Sequence, residues 1–145
     1  MTDAAGIGYG AGMAETPAVM VTVKGEKGYA QAIRAAGHAW TSDEPPARGG
    51  SDTGPTPTAL YLSGLGACTA ITLRMYADRK GWELGSIQVR CTLFPREEGR
   101  PRIEREIRLG APLSDEQKAK LSGIADRTPV TKLVMNGAEL ETRLV

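Results

Sequence analysis

With 145 residues, 41% of them hydrophobic and only 5% aromatic, the chain has enough apolar material for the core of one domain. A formal charge of +1, with Lys, Arg, Asp and Glu interspersed, excludes the basic stripe that nucleic acid or an anionic membrane surface demands. Two cysteines cannot build a disulfide framework, and no membrane-length apolar run or charged-then-apolar leader stands out, so a reducing cytoplasm is the expected compartment.

Residues 1–17 are rich in Gly and Ala, show no apolar periodicity and are expected to be a flexible segment, leaving 18–145 as a single domain. Val19, Val21 and Val23 alternate with Met20, Thr22 and Lys24, residues 25–28 supply a turn, and Tyr29, Gln31 and Ile33 resume the alternation as a hairpin. A second turn at Ala36 and Gly37 leads into a short third strand over residues 38–41, and residues 43–50 read as loop. A long proline-free run then predicts one helix, with Thr56 as N-cap, Pro57 in the first turn and Gly81 as the stop after Arg79 and Lys80.

Within that helix Leu60, Gly64, Cys68, Ile71, Thr72 and Met75 recur at three- and four-residue spacing, which places Cys68 on an apolar face expected to pack. Gly64, Gly66, Ala67 and Ala70 surround it with minimal side chains, although an interior glycine costs about 1 kcal/mol of helix propensity against alanine. Either another element or a small molecule is expected to approach closely there.

Ile87, Val89, Cys91 and Leu93 alternate with polar residues as a strand, residues 95–101 are a charged turn, and Ile103, Arg105, Ile107 and Leu109 form its antiparallel partner. Ser114 with Gln117 marks a capping box that opens a helix buried through Leu121, Ile124 and Ala125 and ending before Pro129. Residues 138–145 alternate weakly and are expected to close the second sheet. The resulting order, βββ-α-ββ-α-β, groups strands on both sides of a helix and favours an α+β fold with the long helix packed between sheets. The open edge of the first sheet predicts a homodimer.

Cys68, Cys91 and His38 are the residues with nucleophilic or ligating chemistry, and their spacing offers no metal site. The ordinary roles are a small buried hydrophobe for each cysteine and a strand-end position for His38. A reactive Cys68 must ionise near neutral pH, whereas an unperturbed thiol has a pKa of about 8.5. The helix dipole fades within one turn and Cys68 lies about three turns beyond Pro57, so another cation or donor is needed, and a guanidinium is the natural candidate. Arg48, in the loop before the helix, is the first candidate and Arg34, on the second strand, the alternative; either could equally be a solvated surface charge.

The stretch DEPPARGGSDTGPTPTALYLSGLGACTAITLRMYADRKGW resembles the OsmC/Ohr family, and IADRTPVTKL resembles that family's second helix. The resemblance implies an OsmC-like fold, an intertwined homodimer and a cysteine-dependent peroxidase acting on organic hydroperoxides. It implies that Cys68 is the peroxidatic thiol and that Arg48 stands about where OsmC-type members keep a thiolate-stabilising arginine. No cofactor is implied beyond an external thiol reductant.

Two positions depart from the family pattern. Ala59 replaces the glutamate that holds the arginine, and Thr128 stands where a resolving cysteine precedes the proline. The usual two-cysteine route is therefore closed, and an external thiol must reduce the sulfenic acid. The alternatives are a non-catalytic binding or redox-sensing protein with an apolar pocket for a small hydrophobic ligand, and a purely structural dimer.

Overall fold

The computed structural model describes residues 16–145, so the segment expected to be flexible lies outside them except for its last two residues. The chain divides into two compact units between Thr56 and Pro57.

The first unit is a three-stranded antiparallel sheet of β1 (Thr22–Gly25), β2 (Gln31–Ala35) and β3 (His38–Ser42), with β2 central. Val23 pairs with Ile33 and Ile33 with Trp40, and Ile33 is buried. The β2–β3 turn has two residues, Ala36 and Gly37, at φ 47° and 82°. Two positive φ values match the twist of the flanking strands, which is why a glycine follows the alanine there. Beyond β3 the predicted loop contains one 3-10 turn, Pro46–Arg48.

The second unit contains α1 (Pro57–Lys80), β4 (Ile87–Phe94), β5 (Arg102–Leu109), α2 (Asp115–Ala125) and α3 (Pro129–Asn136). The limits of α1 match its punctuation. At its end Trp82 N donates to Ala77 O at 2.9 Å and Gly81 N to Asp78 O at 3.3 Å, with Gly81 at φ 69°. These paired bonds satisfy carbonyls that the last helical turn leaves open. β4 and β5 pair antiparallel with Cys91 opposite Arg105. Leu73, Ala77, Leu84, Leu121 and Ala125 form the core, and Ile87, Ile107 and Leu109 pack against it from the sheet. The Ser114–Gln117 capping box opens α2 as predicted.

Two expectations fail. The final strand is not formed: residues 137–145 have no regular structure, and the chain ends instead with α3 after α2. Thr128 caps α3, Pro129 occupies its first turn and Gly137 N closes it on Leu133 O at 2.8 Å. Leu140, at 91% exposure, has no face to bury and so nothing to hold an extended register.

The buried stripe of α1 also differs. Leu65, Thr69, Leu73 and Ala77 are buried at four-residue spacing, whereas Ile71 and Met75 are 60% and 58% exposed and Gly64 is exposed. α1 is apolar nearly all the way round, so periodicity alone does not select the face that meets the sheet.

Candidate functional site

Cys68 lies on α1 beside the buried stripe, between exposed Ala67 and fully buried Thr69, and is itself half-buried. Cys68 and Cys91 are both free thiols. Cys91 takes its position from the inward register of β4, where it lines a groove of about 460 Å³ with Gly66, Ala67, Ala70 and Val89. A Cβ on Gly66 would stand 3.7 Å from Cys91 Sγ and 3.9 Å from Val89 Cγ1. The close approach expected of the small residues is thus made by β4 at Gly66, while a Cβ on Gly64 would meet nothing within 4 Å. Burial pushes the Cys91 thiol above its ordinary range, and the positive charge of Arg105 draws it partly back.

Arg105 is the residue that sequence reasoning missed. Its guanidinium lies between β5 and the helices, with Nη1 donating to Thr69 Oγ1 at 3.0 Å and to Thr131 Oγ1 at 2.8 Å. Nη2 donates to Asp126 Oδ1 at 3.2 Å. Thr69 returns its own proton to Leu65 O at 2.7 Å, and Thr128 and Thr131 share a 2.7 Å hydroxyl contact. Thr128 is 1% exposed, so the position expected to lack a resolving thiol is a buried link in this network as well as a helix cap. The signal was a charge in the inward register of Ile103, Arg105, Ile107 and Leu109, where an unpaired cation would be costly.

In the first unit Asp43 organises the loop. Its carboxylate accepts from Glu44 N at 2.7 Å, Ser51 N at 3.2 Å, Thr53 N at 3.1 Å and Thr53 Oγ1 at 2.7 Å. These bonds, led by the Thr53 hydroxyl, hold Asp43 below the usual carboxylate range. Gly50 is obligatory there, since a Cβ would come within 1.8 Å of Glu44 O. The same loop carries Arg48, whose Nη1 lies 3.9 Å from Glu44 Oε2, with its side chain 76% exposed. Arg48 therefore keeps a carboxylate neighbour within its own turn although Ala59 has none to offer.

Arg34 is exposed on β2, on the face opposite Ile33, and His38 is exposed at the start of β3. Arg34 and Arg48 belong to the first unit and Cys68 to the second. Among the described residues no group of three His, Cys, Asp or Glu side chains could hold a metal ion. No helix among them is long and apolar enough to cross a membrane.

Strands grouped before a long helix, then a hairpin and two short helices, define an α+β fold, and the long helix carries a half-buried free cysteine. The family model for OsmC-like proteins matches residues 49–143, a stretch that reaches into both units, and the chain belongs to that family. Among solved structures, the chain resembles a protein assigned to the osmotic-stress-induced and detoxification response of Psychrobacter arcticus, at 17% identity and TM-score 0.70 over 86% of this chain and 90% of that one. An OsmC-like protein from Mycoplasma pneumoniae matches at 18% identity and TM-score 0.67, over 85% and 89% of the two chains. An organic hydroperoxide resistance protein OsmC from Legionella pneumophila matches at 15% identity and TM-score 0.63, over 86% and 93%. No curated protein sequence matches the chain.

Proposed function

We propose that this protein is a thiol-dependent peroxidase that reduces organic hydroperoxides through Cys68. The observation that carries the reading is the half-buried free thiol in the long helix of a chain that belongs to the OsmC-like family. The Cys68 thiolate attacks the terminal oxygen of the hydroperoxide; the O–O bond breaks, the sulfur becomes a sulfenic acid, and the alkoxide takes up a proton to leave as the alcohol. Two equivalents of an external thiol then return the sulfenic acid to the thiol, giving one disulfide and one water. An external reductant is needed because Thr128 offers no sulfur.

Arg48 is the proposed thiolate partner and Arg34 the alternative. Support for Arg48 comes from its turn, in which Asp43 fixes the backbone and Glu44 stands beside the guanidinium. The functional unit is a homodimer, since α1 leaves Tyr61, Ile71 and Met75 more than half exposed, at 53%, 60% and 58%. A reducing cytoplasm would supply the thiol.

The test is consumption of cumene hydroperoxide with dithiothreitol as reductant. The reading requires turnover by the wild type and by Cys91→Ser, and loss to background in Cys68→Ser. A second reading, a non-catalytic binding or sensing protein, is favoured by the groove between α1 and β4. Wild-type protein indistinguishable from Cys68→Ser would select it over the first.

A further inference from the structure

The second unit holds a cavity of about 570 Å³ that is separate from the groove beside Cys91, walled by Leu65, Ile103, Val134 and Met135 with Arg105 and Asp126. That size lies within the range of small-molecule sites, about 300–1,000 Å³. The Arg105 side chain is 14% exposed and that of Asp126 74%. One arm of the guanidinium is committed inward, to Thr69 and Thr131, which sit on α1 and α3 and fix its direction. The other arm, Nη2, donates to the solvated carboxylate of Asp126 at 3.2 Å. A second guanidinium stands close by: Arg100 Nη2 donates to the carbonyls of Val134 at 3.4 Å and Met135 at 3.1 Å, two residues of the cavity wall. One cation, Arg105, and one exposed carboxylate, Asp126, therefore border a largely apolar space, and Arg100 braces the backbone of two of its wall residues from outside the lining.

We propose that this cavity binds a monocarboxylate carrying an apolar chain, with the carboxylate on Arg105 Nη2 in place of Asp126 and the chain against Leu65, Ile103, Val134 and Met135. An ion pair to an exposed carboxylate contributes little, within about 1 kcal/mol, so exchanging Asp126 for a ligand oxygen sacrifices little. The incoming carboxylate gains a planar donor already held in place by two hydroxyls, which lowers the ordering cost of binding. The chain gains apolar contact that a free carboxylate such as acetate lacks. With one arm of the fork committed to threonines, the site suits a single carboxylate better than a doubly charged phosphate. This binding is independent of peroxide chemistry and holds whether or not Cys68 turns over.

The experiment is calorimetric titration of the full-length protein with octanoate, octanol and acetate. Octanoate is expected to bind at least tenfold more tightly than either of the others. Asp126→Ala, which removes the internal competitor at an exposed position, is expected to tighten octanoate several-fold. Met135→Trp, which fills the cavity from a wall residue without touching the guanidinium, is expected to weaken it at least tenfold, as is Arg105→Gln if that variant folds. Octanol binding as tightly as octanoate would overturn the proposal, as would Asp126→Ala or Met135→Trp binding octanoate as the wild type does.

Discussion

Asp43 shows how much one side chain can fix. It is 2% exposed and accepts bonds from Glu44, Ser51 and Thr53, which sets the path of the loop carrying Arg48. Because those bonds depress its folded-state pKa, Asp43 adds stability above the unfolded carboxylate value of about 3.9 and loses it as pH falls through the lower folded value. Asp43→Asn should therefore destabilise the protein at pH 7 by urea unfolding and reduce the loss of stability seen on acidification below about pH 4. An unchanged acid limb would remove Asp43 from that account. For Cys91 the shift is upward, so at neutral pH it stays protonated and should react slowly with iodoacetamide. Cys68 should supply the fast phase, and Cys68→Ser should leave only the slow one. Both cysteines were legible as chemistry, and Cys91 also as a strand position. Asp43 and Arg105 were not: Asp43 binds groups up to ten residues ahead in an irregular loop, where no periodicity marks it, and the register of β5 marks Arg105 as an inward charge without naming its partners, which lie on α1, on α3 and at the end of α2.

At the scale of elements, punctuation was more legible than packing. The start and end of α1 follow from Pro57 and Gly81, and the start of α2 from Ser114 and Gln117, since Pro57 removes an N–H that would lack a helical partner and the others satisfy backbone groups locally. Which face of α1 is buried depends on the sheet and on α2 and α3, and a helix apolar nearly all the way round does not encode that choice. The terminal alternation of residues 138–145 shows the converse, a local pattern without a surface to complete it. Substituting one glycine inside α1 and the glycine at its stop should have opposite effects. Gly66→Ala places a methyl at ordinary contact distance from Cys91 and Val89, so it should stabilise by about 1 kcal/mol through helix propensity and slow alkylation of Cys91 across the narrowed groove. Gly81→Ala forces a side chain into the left-handed region at φ 69° and should destabilise by roughly 1–2 kcal/mol. Thermal or urea unfolding of the two variants checks both signs.

For the whole molecule, the grouping of strands around one long helix was enough to choose α+β over an alternating parallel sheet, and the family match agrees with that choice. The exposed apolar side of α1 belongs to the same scale. If a second copy covers it, the dimer should bury more than about 2,000 Å², as obligate interfaces do. The wild type should then be a dimer by light scattering at micromolar concentration, and Ile71→Glu combined with Met75→Glu should yield a monomer. The claim on which the functional account rests is that Cys68 alone takes the peroxide oxygen. The most direct measurement is peptide mass spectrometry after one equivalent of cumene hydroperoxide with dimedone present to trap sulfenic acid. The account predicts the dimedone adduct on Cys68, none on Cys91 and no loss of two hydrogens from a disulfide between them. An adduct on Cys91 with Cys68 unmodified, or a Cys68–Cys91 disulfide, would contradict it.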